Sequence, residues 1–115
     1  MMTKENYIQF HKDFCDTMVE ITKKKNHDYA GGGDDPFKNF RQIGGLIPKD
    51  GVVEIGFLTR MSDKFSRIGS FVSEGKLLVE DESVHDTLVD LANYCALFAG
   101  YLESKKREQS HERGR

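Results

Sequence analysis

The sequence predicts an all-α fold: a helical bundle of three main helices plus one long loop with a short helix in it. Three observations lead there. Apolar residues recur at helical spacing in three separate stretches. Only 2 prolines occur in 115 residues, so little interrupts a helix. Strand signals are weak, Gly51-Val52-Val53 being too short to count.

The first helix is predicted from Lys4 to Lys25. Its stripe is Tyr7, Phe10, Phe14, Met18 and Ile21, in steps of 3, 4, 4 and 3. Thr3 suits the N-cap, and Lys23, Lys24 and Lys25 suit the negative end of the helix dipole. Gly31-Gly32-Gly33 then breaks regular structure. Residues 26–51 read as a loop, long enough to be functional rather than a mere connection. A short helix starting at Pro36 is expected within it. Two behaviours fit this loop. It closes as a lid hinged at Gly31–Gly33 and Gly44–Gly45, or it is pinned to the core by Phe37, Phe40 and Ile43.

The second helix is predicted from Val53 to Ser73, with the stripe Leu58, Met61, Phe65, Ile68 and Val72. Thr59, Ser62, Ser66, Gly69 and Ser70 form a small-residue face with Asp63 at its edge and Arg60 and Arg67 beside it. The third helix is predicted from Val84 to Lys105. Its main stripe is Val84, Leu88, Leu91, Cys95, Phe98 and Leu102, and a second face carries Asp86, Asp90, Asn93, Leu97 and Tyr101. A helix apolar nearly all round is normally buried. Three helices make a modest core, so the leftover second face predicts a homodimer or a higher homo-oligomer. Residues 1–103 read as a single domain and 104–115 as a charged, disordered tail.

Composition narrows the function classes. Seventeen basic and 19 acidic residues give a net charge of -2, too little field to attract nucleic acid or an acidic membrane directly. No apolar stretch reaches the roughly 18 residues of a membrane span, and none reads as a signal peptide. Cys15 and Cys95 read as reduced core residues. The cytoplasm is the expected compartment.

Asp90 is the most informative side chain. Within 88–102 only Asp90 and Asn93 are strongly polar, and they lie one turn apart on one face. A buried carboxylate costs several kcal/mol unless a partner, a proton or a metal compensates it. One answer is a Mg2+ ion held by Asp63, Asp86 and Asp90 on two adjacent helices, with Asn93 on a ligand oxygen. The alternatives are structural. Asp86 fits a capping box with Ser83, Asp63 fits a surface pair with Arg60 or Arg67, and Asp90 fits a buried ion pair with an arginine. Lys25, His27, Asp28 and Tyr29 form a second group: Lys25 suits a phosphate and Tyr29 a stacked base, unless the group is only helix-end chemistry. Lys38 would add positive charge on the loop. The sequence contains no P-loop, no zinc spacing and no Ser/His/Asp candidate.

The segments Lys25-Asn26-His27-Asp28-Tyr29, Arg60-Met61-Ser62-Asp63-Lys64-Phe65-Ser66-Arg67, Glu82-Ser83 and Asp86-Thr87-Leu88-Val89-Asp90-Leu91-Ala92-Asn93-Tyr94 resemble the phage-associated nucleotide modification associated domain 1 family. That family looks related to the MazG-like and dimeric dUTPase group of all-α nucleotide pyrophosphohydrolases. The resemblance implies Mg2+ on carboxylates of two successive helices and release of pyrophosphate from (deoxy)nucleoside triphosphates. Carried over, Asp63 and Asp90 would be catalytic, with Asp63, Asp86, Asp90 and Glu54 as the metal set. Lys25, His27, Asp28, Tyr29, Lys38, Arg60, Lys64, Arg67 and Asn93 would bind substrate. The chain departs from the wider pattern. It has Arg60-x-x-Asp63 for Glu-x-x-Glu and Asp86-x-x-x-Asp90 for Glu-x-x-Asp, and Glu54 lies nine residues before Asp63. Two functions follow: a Mg2+-dependent pyrophosphohydrolase, or a non-catalytic module that sequesters a nucleotide or cyclic nucleotide signal. A fourth carboxylate from Glu54 at the cluster would favour the enzyme.

Overall fold

Four α-helices make up the fold: α1 (Lys4–Ala30), α2 (Lys38–Leu46), α3 (Val52–Glu74) and α4 (Val84–Arg113). The computed structural model describes residues 1–30, 33–75 and 83–113, and within them all side chains except those of 27–30 and 111–113. Among the described residues no strand occurs, and no helix is long and apolar enough to cross a membrane.

The helix ends follow local chemistry. Thr3 and Asn6 cap α1 reciprocally: Thr3 Oγ1 accepts from the Asn6 amide and Asn6 Oδ1 from the Thr3 amide, both at 3.1 Å. No breaker follows Lys25 until the glycines, so α1 continues to Ala30 and takes in residues expected in the loop. Part of the rest of that loop is helical too. Asp35 Oδ1 accepts from the Phe37 amide at 3.0 Å, and α2 begins one residue later. Gly44 and Gly45 therefore lie inside a helix, not at a hinge. Gly51 (φ 85°) and Gly75 (φ 76°) bracket α3 in the left-handed conformation, and the Gly75 amide donates to Phe71 O at 2.8 Å. Ser83 and Asp86 form the capping box of α4. That helix runs past the expected end at Lys105 to Arg113. Its extension is rich in helix formers and is tied to α2, because Arg41 reaches Ser104 Oγ at 3.2 Å and Glu108 Oε1 at 3.5 Å.

Helix α3 packs on α4, α2 on α3, and α1 on α4 and α2. Lys105 meets Glu54, Phe98 and Tyr101 meet Phe57, and Asp90 meets Lys64, so α3 and α4 run antiparallel. The core is a stack of rings. Phe57 lies between Phe40 (centroids 4.1 Å apart, 10° between planes) and Phe98 (5.0 Å, 2°), with Tyr101 at the side. Phe57 is fully buried, and truncating such a residue to alanine costs about 3–5 kcal/mol.

The helical register departs in part from the sequence expectation: Met61 and Ile68 of the α3 stripe are half-buried and Phe98 of the main α4 stripe stacks on Phe57, but other members are exposed. On α3 the buried face is that of Phe57 and Lys64, one turn-pair apart, whereas Leu58, Phe65 and Val72 of the predicted stripe are exposed. On α4 the expected second face supplies buried Asn93 and Tyr101, whereas Leu88, Cys95 and Leu102 of the main stripe are exposed. A charged lysine on the inward face of α3 breaks the apolar periodicity there and moves the apparent stripe one residue on.

Candidate functional site

The polar group of the fold sits where α1, α3 and α4 meet. Helix α1 contributes Thr22 and Lys25, three residues apart and so on one face. Helix α3 contributes Lys64, and α4 contributes Asp90 and Asn93, again three apart. Lys25 Nζ donates to Asp90 Oδ1 at 3.3 Å, and Lys64 Nζ lies 3.2 Å from Asp90 Oδ2. Asp90 and Lys64 are largely withdrawn from solvent, with side chains 17% and 14% exposed, while Lys25 keeps 42%. Thus Asp90 meets two lysines, not the arginine of the ion pair that stood as the structural alternative. Two ammonium groups thus converge on one carboxylate.

Asn93 completes the site. Thr22 Oγ1 donates to Asn93 Oδ1 at 3.2 Å, which orients the amide. Asn93 is 8% exposed, and its Nδ2 finds no hydrogen-bond partner among the described residues. Buried amide donors without partners are rare and costly. Asn93 lines a small cavity of about 10 Å³ together with Thr22, Lys25, Asn26, Asp90, Tyr94 and Leu97. That space admits one water-sized group. An acceptor oxygen fits it; a nucleobase does not.

The other candidate residues are distributed differently. Asp63 pairs with Arg67 Nε at 3.4 Å, one turn along the exposed side of α3. Asp86 accepts from the Ser83 amide and its own amide donates to Ser83 Oγ at 3.0 Å, which is its capping role. Glu54 meets Lys105 Nζ at 3.5 Å near the other end of the α3–α4 pair. Arg60 lies 4.9 Å over the Phe40 ring. Lys38 is exposed in the first turn of α2. The side chains of His27, Asp28 and Tyr29, with Gly31, Gly32 and Glu82, lie outside the described residues.

Mg2+ needs several oxygen ligands in near-octahedral geometry. Among the described residues no three of His, Cys, Asp and Glu gather to hold an ion. Asp63, Asp86, Asp90 and Glu54 each have a different partner, so the described donor set does not fit a Mg2+ centre. Thr22 is the site residue that sequence reading missed. Its signal was the three-residue step to Lys25, masked because Thr22 lies outside the apolar stripe of α1.

No family model matches the chain, and neither a curated protein nor a solved structure matches it. The chemistry of the site therefore rests on its own residues.

Proposed function

We propose that the chain is a non-catalytic nucleotide-binding module that holds a phosphate oxygen at Asn93 and Lys25. The observation that carries this reading is Asn93 Nδ2, a buried donor without a partner among the described residues, on a residue that lines a cavity one atom-group wide together with Lys25. A donor wants an acceptor, the cavity limits that acceptor to one oxygen, and the ammonium at the mouth selects a negative one. Lys25 has three N–H donors, and the one turned to Asp90 leaves others for a ligand. Lys64, closer to the protein interior, holds Asp90 in place. The ribose and base would lie outside, over Asn26 and the end of α1.

The pyrophosphohydrolase that the family resemblance implies is the competing reading. Its fourth carboxylate, Glu54, holds Lys105 instead of joining Asp63, Asp86 and Asp90. The test is to incubate the protein with the common ribo- and deoxyribonucleoside triphosphates and a cyclic dinucleotide, with Mg2+ or with chelator. Binding that survives chelator, with the nucleotide recovered intact, is the expected result. Release of pyrophosphate in Mg2+ would replace the module with the enzyme. A single ordered water at Asn93 and no nucleotide binding would remove both.

A further inference from the structure

A cleft of about 500 Å³ opens between the end of α2 and the first half of α3. Clefts that take small ligands run from roughly 300 to 1,000 Å³. Ile43 of α2 and Ile47 just past its end line it from one side, and Val52 and Ile55 line it from α3. These aliphatic side chains stay uncovered: Ile47 is 51% and Ile55 60% exposed. Among the described residues no aromatic ring and no acidic group lines the cleft. Thr59 brings a hydroxyl, but that hydroxyl already donates to Ile55 O at 2.9 Å. The lining therefore accepts hydrocarbon.

Two further residues say which hydrocarbon. Gly56 lines the cleft from the interior of α3, where glycine weakens a helix relative to alanine. A Cβ there would meet nothing within 4 Å, so packing within the described chain does not require the glycine. Its bareness leaves room over the helix backbone for something else to approach. Arg60 follows one turn later on the same face. Its guanidinium lies 4.9 Å over the Phe40 ring and makes no ion pair with any described residue. A ring contact uses the face of a guanidinium and leaves its N–H edge for a planar anion.

We propose that this cleft binds a medium-chain carboxylic acid. The hydrocarbon tail lies along Ile43, Ile47 and Ile55 over Gly56, and the carboxylate meets the edge of Arg60. One cation at the cleft selects one negative charge, and the guanidinium fork matches two carboxylate oxygens. The cleft shares no lining residue with the cavity at Asn93, so the two proposals stand separately.

Titration calorimetry with hexanoate, octanoate and decanoate, each below its micelle concentration, tests the proposal. Affinity should rise about fourfold for each added methylene as the tail fills the cleft. Octanol, with the octanoate tail length and no charge, should bind about tenfold more weakly. Arg60→Met should weaken octanoate about tenfold and leave octanol unchanged. Gly56→Leu should abolish octanoate binding while helicity stays native and the thermal midpoint does not fall, because leucine favours a helix. In methyl NMR spectra, octanoate should shift Ile43, Ile47 and Ile55 and leave Val72, at the far end of α3, in place. No octanoate binding at millimolar concentration overturns the proposal, as does a folded Arg60→Met protein that binds octanoate as tightly as the native one. Equal shifts at Val72 would show detergent action on any exposed apolar group and overturn it too. A native protein that sediments as a dimer and excludes octanoate would give the cleft to a second copy and overturn it likewise.

Discussion

Lys64 Nζ sits 3.2 Å from Asp90 Oδ2, and the pair bridges α3 and α4 with both side chains mostly out of water. Attraction between buried charges repays desolvation only when geometry and extra donors cooperate. Lys25 supplies the second donor from α1, so one carboxylate links three helices.

Asp90→Asn removes the charge and nearly keeps the shape. It removes the carboxylate charge on which Lys64 and Lys25 converge and should cost roughly 2–4 kcal/mol, the lower part of the range for a broken buried pair because Lys25 is partly solvated. Lys64→Met should cost more than Lys25→Met, since Lys64 is the more buried partner. Denaturant unfolding of the three variants checks the order. A more stable Asp90→Asn protein would instead signal relief of carboxylate repulsion and return Asp90 to a metal site.

Gly44 and Gly45 separate a helix from a hinge. A Cβ on Gly44 would lie 3.2 Å from Val53 Cγ2, so Gly44→Ala should push α2 from α3 and destabilise. A Cβ on Gly45 meets nothing within 4 Å, so Gly45→Ala should stabilise α2 by about 0.5–1 kcal/mol. Thermal unfolding gives both signs. With Phe40 stacked on Phe57, the amides of α2 should also be protected from hydrogen exchange before any ligand is added. Fast exchange there in the free protein would restore the lid.

Tyr101 gives the fold a limit on the alkaline side. Its pKa is raised above the usual 10.0, first by burial and then by the charge of Glu54 and its hydrogen bond, against the opposing pull of Lys105 and Arg41. A folded pKa above the unfolded one means that the folded state holds its proton more tightly. The resulting stability is complete below pH 10 and is lost as pH rises through the folded pKa. Tyr101→Phe should remove that part of the alkaline decline. Unfolding free energies from about pH 8 to about pH 11 check the effect.

Much of this was legible in the sequence. Helix periodicity located α1, α3 and α4, Thr3 announced a cap, and Ser83 with Asp86 announced a capping box. Asp90 in an apolar helix required a partner. The partner's identity was not legible, because Lys25 and Asp90 meet across 65 residues of chain and only helix packing brings them together. The core register escapes the sequence because amphipathicity reports the most apolar face, whatever later covers it. On α3 that face is Leu58, Phe65 and Val72, while the inward face carries Lys64. The full length of α1 and α4 escapes it too, because charged residues after Lys25 and Glu103 read as loop, although nothing in their backbone preferences breaks a helix.

The side-chain amide of Asn93 tests the central claim most directly. Its Nδ2 protons give an NMR signal that Asn93→Leu removes, which assigns it. On titration with a nucleoside triphosphate in chelator, that signal should shift and saturate together with the calorimetric binding curve. A folded Asn93→Leu protein should bind at least about tenfold more weakly, as loss of a charge-assisted hydrogen bond requires. Nucleotide binding that leaves the Asn93 signal unmoved, or that Asn93→Leu does not weaken, would contradict the assignment of this site.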